Sequence, residues 1–394
     1  MKTRVEVPAE SLFGPDNLPY GVFAPEGKDF RVGVRLGDQV IDLAATLEDS
    51  MFASSGLDAF LAQGPERWNE VREQVRQLVD DEIDSGAVHS LTDVDLRLPV
   101  HIGDYVDFYA SVDHATNLGR LFRPDSEPLL PNWRHLPVGY HGRAGTVVVS
   151  GTEVVRPCGQ RKTESGSPDF GPSRRLDIEA ELGFLIGVGS QRGAPVDIGE
   201  FGDRVFGVTL INDWSARDIQ AWEYQPLGPF LGKSFATTIS AWVTPLAALE
   251  AARIPLPEQS PEPLPYLRET ERWGLDIDLT VAWNGQPVSH PPYARMYWSP
   301  AQMLAHLTAN GASTRTGDLY ASGTISGPDP SQRGSFIELS WGGAEPVMVN
   351  GQKRTFLEDG DEVTITASAP GPHTARIGLG EVRGRILPAQ RDLG

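Results

Sequence analysis

The sequence predicts a mainly β (α+β) protein of two domains, and three observations support this fold class. The chain has 394 residues, more than one minimal hydrophobic core usually organises. Its 42 glycines and 32 prolines are high counts for that length and indicate many turns that join short strands. Several short stretches also alternate apolar and polar residues, the pattern of half-buried strands.

Residues 1–98 are predicted to form a small N-terminal domain. Alternating apolar residues from Phe30 to Leu36 indicate a strand, the pair Gly37-Asp38 indicates a turn, and Val40 to Leu43 return as a second strand. A helix is predicted from Pro65, which suits a first helical turn. Its inward face is marked by residues at helical spacing, namely Trp68, Val71, Val75 and Leu78.

Residues 99–394 are predicted to form a second, strand-rich domain. The stretches that favour strands are 145–150, 176–188, 204–212, 275–283, 335–341 and 363–367. One helix interrupts them: Ser299 is its cap, Pro300 occupies the first turn, Gln302 completes a capping box, and Asn310-Gly311 ends it. We find no internal repeat.

Charge and cysteine content restrict the class of protein. The formal net charge of -19 disfavours nucleic acid and anionic membranes as partners. The single cysteine, Cys158, rules out an intrachain disulfide and fits a reducing cytoplasm. Residues 1–10 lack the apolar stretch of a signal peptide, and the apolar run Val205 to Ile211 is too short to cross a bilayer. We therefore expect a cytoplasmic protein without a membrane span.

Two glutamates stand out in the stretch 176–188. Glu179 and Glu181 are two residues apart among alternating apolar residues, a spacing that aims both side chains at one face of a strand. Carboxylates about 7 Å apart on one face repel each other unless a cation lies between them. The alternative is an ordinary solvated strand face.

A further carboxylate, Asp213, ends an apolar run and opens a polar segment. If residues 213–224 are helical, Asp213, Arg217, Gln220 and Tyr224 share one face. A helix face made of an acid, a guanidinium, an amide and a phenol is not one that packs into a hydrophobic core. The alternative is a capped helix with a solvated face.

A third cluster includes Asp107, Tyr109 and His114. Asp107 could be another oxygen ligand, and His114 could activate water if a cation or positive site lies nearby. A lone histidine is otherwise an ordinary surface or core residue.

The sequence does not match several common nucleotide-binding, catalytic and metal-binding motifs. In Gly228 to Ser234 three residues separate the glycines, where a phosphate-binding loop needs four. The glycines at 187, 189 and 193 miss the dinucleotide spacing by one residue. The sequence has neither a G-x-S-x-G nor an H-E-x-x-H motif, and one cysteine excludes thiolate zinc sites.

Taken together, the segments resemble the fumarylacetoacetase (fumarylacetoacetate hydrolase) family over nearly the whole chain. Four stretches carry the resemblance: GDYVDFYASVDHATNLG (103–119), PNWRHLPVGYHG (131–142), NDWSARDIQAWEYQPLGPFLGKSFATT (212–238) and ASGTISG (321–327). The resemblance implies a small N-terminal SH3-like β-barrel domain and a C-terminal mixed β-sheet roll of the fumarylacetoacetase type.

The resemblance also implies a metal site. The family's ligands for Ca²⁺ or Mg²⁺ match Asp107, Glu179, Glu181 and Asp213. Positions near a second, structural Mg²⁺ match Lys233 and Thr237. These four carboxylates are those already selected by pattern.

The family's catalytic and substrate-binding groups can be placed in the same way. The general base matches His114, and the carboxylate that orients it matches Glu338, in the predicted strand 335–341. Groups that stabilise the oxyanion match Arg217, Gln220 and Lys233. The substrate contacts match Tyr109, Arg123, Tyr140, Gln220, Tyr224 and Thr324.

The activity implied is metal-dependent cleavage of a carbon-carbon bond in a dianionic diketone acid, 4-fumarylacetoacetate, to fumarate and acetoacetate. This is the last step of tyrosine and phenylalanine catabolism, and the family implies a homodimer. A rival is a related acylpyruvate hydrolase, decarboxylase or isomerase on the same scaffold. A more distant rival is a non-catalytic protein that binds a cation or a small acid.

Overall fold

The computed structural model describes residues 2–80, 82–163, 165–373 and 375–390. In the N-terminal part the strands and helices are β1 Lys2–Thr3, β2 Tyr20–Pro25, β3 Arg31–Leu36, β4 Gln39–Asp42, α1 Leu43–Thr46, α2 Asp58–Leu61, α3 Pro65–Asp80, β5 Ile83–Asp84, β6 Val88–Ser90 and β7 Val94–Arg97. The predicted hairpin and the helix that begins at Pro65 are both confirmed.

The remainder is richer in strands. Its first half contains β8 Tyr105–Phe108, α4 Val112–Phe122, β9 Gly139–His141, β10 Val147–Val149, β11 Val154–Val155, β12 Cys158–Lys162, β13 Pro168–Pro172, β14 Leu176–Asp177, β15 Ala180–Ile186, α5 Phe201–Arg204, β16 Val205–Asp213, β17 Ser215–Ala216 and α6 Arg217–Glu223. Its second half contains β18 Thr237–Ile239, β19 Trp242–Pro245, β20 Arg253–Pro255, β21 Trp273–Leu275, β22 Asp278–Trp283, β23 Gln286–Ser289, α7 Pro300–Thr308, β24 Leu319–Ala321, α8 Phe336–Leu339, β25 Val347–Val349, β26 Gln352–Arg354, β27 Glu362–Pro370 and β28 Arg376–Leu387. The prediction of a mainly β protein is confirmed.

One large mixed sheet runs through both parts of the chain. Its strand order is β6-β4-β3-β2-β19-β16-β15-β24-β8-β9, with β7, β10 and β18 paired alongside. The N-terminal strands join it where β2 pairs with β19, Tyr20 opposite Val243 and Gly21 opposite Trp242. Among the described residues, the N-terminal strands form an open sheet that does not close into a barrel. The strands concerned are β2, β3, β4, β6 and β7. The predicted domain division between residues 98 and 99 stays a prediction.

A second sheet, of order β11-β28-β27-β22-β23, packs with the large sheet around a shared apolar core. Close packing between them depends on Gly384 in β28, where a Cβ would lie 2.6 Å from the indole of Trp214. That indole is fully buried and donates to Thr238 Oγ1 at 2.8 Å. Trp214 directly follows Asp213, so this packing fixes the end of β16.

The sheet order positions the predicted carboxylates. Asp107 lies in β8, Glu181 in β15 and Asp213 at the end of β16, and these strands lie in the series β16-β15-β24-β8. Asp107 and Asp213, 106 positions apart in sequence, are thereby brought into one region of the sheet, with β15 and β24 between their strands.

Two predicted elements are wrong in detail. Residues 335–341 are not a strand, because Phe336–Leu339 form the short helix α8. The polar segment 213–224 is not one helix: Asp213 is still in β16, paired with Thr237, and α6 begins only at Arg217. Asp213 therefore does not share a helix face with Arg217 and Gln220.

The helix α7 shows the predicted capping box. Ser299 Oγ accepts from Gln302 N at 3.0 Å, and Gln302 Oε1 accepts from Ser299 N at 3.0 Å. None of the helices in the described residues is both long enough and apolar enough to cross a membrane.

The half-buried Glu269 beside this cap gives a pH-dependent prediction. It accepts from Ser299 Oγ at 2.7 Å, and burial raises its pKa from 4.5 to about 7. Because the folded pKa exceeds the unfolded value, its stabilising contribution is complete below pH 4.5 and is lost as the pH rises through 7. We expect Glu269→Gln to raise the free energy of unfolding at pH 8 by about 1 to 2 kcal/mol, after discounting for partial exposure.

Urea denaturation at pH 5 and at pH 8 checks this expectation. The stabilisation should be small at pH 5 and larger at pH 8. An equal effect at both pH values would show that proton binding by Glu269 plays no part.

Candidate metal and hydrolase site

Four buried carboxylates converge at one place on the large sheet. One oxygen from each of them lies within 4.8 Å of the others, and the members are Asp107, Glu179, Glu181 and Asp213. Glu179 precedes β15 and Glu181 lies within it, so the two point to the same side as the sequence spacing predicts. All four are at most 6% exposed, which removes the solvated strand face as an explanation.

Half of this cluster is neutralised by protein groups. Lys233 Nζ lies 2.5 Å from Glu179 Oε2 and 2.7 Å from Asp213 Oδ2. Thr237 Oγ1 donates to Asp213 Oδ1 at 2.6 Å, and Tyr140 donates to Asp213 Oδ2 at 3.3 Å. A protonated ammonium has no lone pair, so Lys233 Nζ stabilises the cluster as a counter-charge and cannot itself be a metal ligand in this arrangement.

The other half has buried oxygens without a partner. Among the described residues, Asp107 Oδ1 and both carboxylate oxygens of Glu181 accept no hydrogen bond. Leaving such oxygens ionised in a buried site costs several kcal/mol unless a counter-charge is supplied, by the usual order of magnitude.

The pKa shifts have the same origin. Burial, followed by the charges of Asp107, Glu179 and Asp213, holds the pKa of Glu181 well above its ordinary range. Burial also raises the pKa of Asp107. For Glu179, burial is outweighed by Lys233 and Arg217, so its pKa is lowered. A hard divalent cation, which prefers carboxylate oxygens, fits the unpartnered half of the cluster.

A histidine and a glutamate form a buried pair beside the cluster. His114 Nδ1 lies 2.6 Å from Glu338 Oε2, and both residues are at most 2% exposed. Burial pushes the pKa of Glu338 upward, but His114 and the hydrogen bonds outweigh it, so the pKa is lowered. An ionised Glu338 accepts a hydrogen bond from the N–H at Nδ1, which leaves Nε2 of His114 with a free lone pair.

Glu338 is held by three further side chains. Asn117 Nδ2 donates to Oε1 at 2.9 Å, and Ser326 Oγ and Ser335 Oγ donate to Oε2 at 3.0 and 2.7 Å. We did not predict these groups. The pattern Ser335-x-x-Glu338 is a helix-start signature that indicates α8 and could have linked Ser335 to Glu338.

Arg217 lies at the beginning of α6 and is buried. Its Nε donates to Asp177 Oδ2 at 2.7 Å, and its Nη1 lies 2.7 Å from Glu179 Oε1 and 3.2 Å from Gln220 Oε1. Nη2 is buried without a partner among the described residues. The guanidinium is therefore anchored on one side and has an unused donor on the other. Asp177, like the serines, was missed by sequence reasoning.

Three of the predicted substrate contacts lie against this site. The ring of Tyr109 is 5.3 Å from that of His114 in an edge-to-face arrangement. Thr324 Oγ1 is buried and unpartnered among the described residues. Tyr140, described above, adjoins Asp213 and lines a cleft of about 430 Å³ with Lys233 and Thr237.

Two other predicted contacts are less closely grouped. Arg123 donates from Nη2 to Pro128 O at 2.9 Å, and it lines a different cavity of about 720 Å³. Its Nε is buried and has no partner among the residues that the structure describes. Tyr224 is 39% exposed, and its hydroxyl accepts from Gln225 at 3.2 Å. The structure thus brings together the carboxylates, His114, Glu338, Arg217, Gln220 and Lys233. Arg123 lines a separate cavity, and Tyr224 is partly exposed.

Comparison with known proteins gives matches over almost the full length. The sequence models described as "Fumarylacetoacetase N-terminal" and "Fumarylacetoacetate (FAA) hydrolase C-terminal" match residues 16–99 and 105–387. Fumarylacetoacetases of Rattus norvegicus and Homo sapiens are each 45% identical over 413 residues, which is 98% of this chain and 98% of those proteins. That of Arabidopsis thaliana is 42% identical over 417 residues, 99% of each chain.

Solved structures share the fold at lower identity. The fumarylacetoacetate hydrolase of Exiguobacterium antarcticum has a TM-score of 0.59 and 17% identity, over 94% of this chain and 99% of that chain. The maleylpyruvate hydrolase of Sphingobium sp. SYK-6 has a TM-score of 0.55 and 16% identity, over 94% and 100%. The 2-hydroxyhepta-2,4-diene-1,7-dioate isomerase of Mycobacterium marinum has a TM-score of 0.54 and 15% identity, over 95% and 100%.

Proposed function

Because the chain belongs to the fumarylacetoacetate hydrolase family, we propose that it hydrolyses 4-fumarylacetoacetate to fumarate and acetoacetate, the last step of tyrosine and phenylalanine catabolism. The identity to fumarylacetoacetases over 98% of the chain supports this substrate. The observation that carries the chemistry is the buried His114–Glu338 pair beside four converging carboxylates.

The residues that would hold a Mg²⁺ or Ca²⁺ ion are Asp107, Glu179, Glu181 and Asp213. The unpartnered oxygens of Asp107 and Glu181 are the reason to expect a cation there. When bound, a divalent cation supplies Lewis-acid polarisation of the diketone oxygens. We also propose that Lys233 and Thr237 lie near a second, structural Mg²⁺, as the family resemblance implies.

The proposed base is His114. Its Nε2 takes a proton from water, and ionised Glu338 keeps Nδ1 protonated and stabilises the imidazolium that forms. The hydroxide oxygen bonds to the carbonyl carbon on the fumaroyl side. No nucleophilic side chain is required.

The next step is cleavage of the carbon-carbon bond. Negative charge on the attacked carbonyl oxygen is stabilised by Arg217, whose Nη2 is unpartnered, together with Gln220 and Lys233. The bond electrons leave with the acetoacetate carbon as an enolate, and His114 Nε2 can return its proton to that carbon. The carboxylic acid formed on the fumaroyl fragment loses its proton to solvent, so the products are fumarate, acetoacetate and one proton, and atoms and charge balance.

The substrate carries two carboxylates, whereas the protein has a net charge of -19. We propose that Arg123, Tyr109, Tyr140, Gln220, Tyr224 and Thr324 supply the local donors that hold it. Arg123, which lines a separate cavity, and the partly exposed Tyr224 would contact the ends of an extended molecule. Charge-assisted hydrogen bonds of this kind are the stronger class.

Other functions remain as alternatives. An acylpyruvate hydrolase, decarboxylase or isomerase would keep the metal site, but the match to the N-terminal model over residues 16–99 favours fumarylacetoacetate. A non-catalytic binder of cations or small acids would have no use for the buried His114–Glu338 pair. We further propose a cytoplasmic homodimer; the exposed side chains of Leu227 and Phe230, 97% and 67% exposed, would gain from cover by a second copy.

The test is loss of the ultraviolet absorbance of fumarylacetoacetate with purified protein. Turnover that stops with a chelator, returns with Mg²⁺ or Ca²⁺, and yields fumarate would support the proposal. Inertness toward fumarylacetoacetate with turnover of acylpyruvates would keep the site and replace the substrate. Cation binding in calorimetry with no turnover of any diketone acid would favour the binding protein.

A further inference from the structure

We propose that Asp177 is a positioning residue that holds both Arg217 and the helix carrying Glu338 in their working places. The proposal rests on the proposed function, since it assigns Asp177 to the same reaction. Asp177 is fully buried, lies in β14, and pairs across the strand with Ser215. That pairing places its side chain beside the start of α6.

Four hydrogen bonds converge on this carboxylate. Its Oδ2 accepts from Arg217 Nε at 2.7 Å and from Ile337 N at 3.0 Å. Its Oδ1 accepts from Phe336 N at 2.7 Å and from Ile178 N at 2.8 Å. The donors therefore lie on three chain segments, which carry Glu179, Arg217 and Glu338, all assigned to the site.

The first consequence concerns the orientation of Arg217. Asp177 accepts from Nε, and Glu179 and Gln220 accept from Nη1, so within the described part of the chain Nη2 is the guanidinium nitrogen left without a partner. A guanidinium is planar and rigid, so fixing two of its nitrogens also fixes the direction of the third. Asp177 thus helps to determine where the remaining donor points.

The second consequence concerns α8, which has only four residues, Phe336–Leu339. The hydroxyl of Ser335 makes no cap hydrogen bond to the backbone and donates to Glu338 instead. The first two backbone N–H groups of the helix, those of Phe336 and Ile337, donate hydrogen bonds to Asp177. They lie 159 and 160 residues from it in sequence. Such groups otherwise lack partners. Asp177 therefore anchors the helix on which Glu338 orients His114.

Asparagine is the most informative replacement, because it has nearly the shape of aspartate but its amide nitrogen would face the N–H groups that now donate to Asp177. An Asn side chain keeps one acceptor oxygen, so it can satisfy at most one pair of donors. We expect Asp177→Asn to lower kcat about 100-fold with KM changed less than about threefold, the size found when an oxyanion donor is misplaced.

A double-mutant cycle with Arg217→Ala separates positioning from general damage. If Asp177 acts partly through Arg217, Asp177→Asn should cost at most about tenfold in kcat in the Arg217→Ala background. The same factor in both backgrounds would overturn this part of the proposal. If Asp177→Asn does not give folded protein, Asp177→Glu replaces it in the same cycle, with an expected loss of about tenfold, and an unchanged kcat would count against the proposal.

The anchoring of α8 by Asp177 can be tested by a measurement that does not depend on enzyme activity. Hydrogen exchange of the Phe336 and Ile337 amides should be slow in the wild type and about 100-fold faster in Asp177→Asn. Unchanged exchange would overturn this part. A matched control is Asp42→Asn: Asp42 is a buried aspartate that also accepts from an arginine, Arg31 at 3.2 Å, and from a backbone amide, Ala45 N at 3.1 Å. It should leave kcat and exchange at 336–337 unchanged.

The two proposals fail differently. If the wild-type protein does not turn over fumarylacetoacetate, the proposed function is wrong. The exchange measurement then still decides whether Asp177 anchors α8. If the wild type is active, Asp177→Asn lowers kcat by the same factor in both backgrounds, and hydrogen exchange at 336–337 is unchanged, then only the assignment of Asp177 is wrong.

Discussion

Replacing His114 with alanine is expected to lower kcat by about 10³-fold to 10⁴-fold, within the range for loss of a general base. The reason is that Glu338 holds Nδ1 of His114 at 2.6 Å, which leaves the second ring nitrogen, Nε2, to accept a proton from water. No neighbouring group on the described chain is arranged to replace it. Steady-state turnover of fumarylacetoacetate measures the loss.

Cation binding should survive this change, because His114 is not one of the four clustered carboxylates. Calorimetric titration with Mg²⁺ and with Ca²⁺ should give affinities within about twofold of the wild type. A matched control is His290→Ala, a histidine that is exposed and contacts Thr280 at 3.2 Å, which should leave kcat unchanged. Loss of cation binding together with turnover in His114→Ala would show that His114 is structural.

Replacing Glu181 with glutamine is expected to have the largest effect on the cation. Both oxygens of Glu181 are buried and free of protein partners among the described residues, so removing its charge removes a ligand without breaking a hydrogen bond. We expect the affinity for Mg²⁺ and Ca²⁺ to fall about 100-fold or more, with turnover lost in parallel.

The same substitution should stabilise the metal-free protein. A buried carboxylate without a partner is destabilising, and the neutral amide removes that charge, so the free energy of unfolding in a chelator should rise by about 2 kcal/mol. Urea denaturation in a chelator measures this. Glu338→Gln is the matched control, because Glu338 is equally buried but fully hydrogen-bonded; it should lose turnover, keep cation affinity, and lose stability. Unchanged cation affinity in Glu181→Gln would remove this residue from the ligand set.

Local patterns were sufficient for elements whose cause is local. The helices α3 and α7 follow from apolar spacing and from a capping box formed by residues three apart. The Asn284-Gly285 pair between β22 and β23 has positive φ at both residues, which those residue types tolerate best. The position of α8 shows the limit, because Ile337 and Leu339 alternate as in a strand while Ser335-x-x-Glu338 indicates a helix.

The site required information that no local pattern contains. Glu179 and Glu181 can be paired by their spacing, but their meeting with Asp107 depends on the order of strands in the large sheet. The family resemblance supplied that grouping, and the structure supplied its geometry. Asp177 has no distinguishing neighbour in sequence, since apart from the adjacent N–H of Ile178 the groups it contacts lie 40 and about 160 residues away.

The continuous sheet has a consequence for how the two parts of the chain move. A hinge between the N-terminal part and the rest would have to break the pairing of β2 with β19 and open an apolar core that packs Tyr20 and Phe60 against Phe206. Both costs are large compared with thermal energy. We therefore expect the N-terminal part and the strands that carry the carboxylates to move as one body, so the spacing of the carboxylates is insulated from motion between the two parts of the chain.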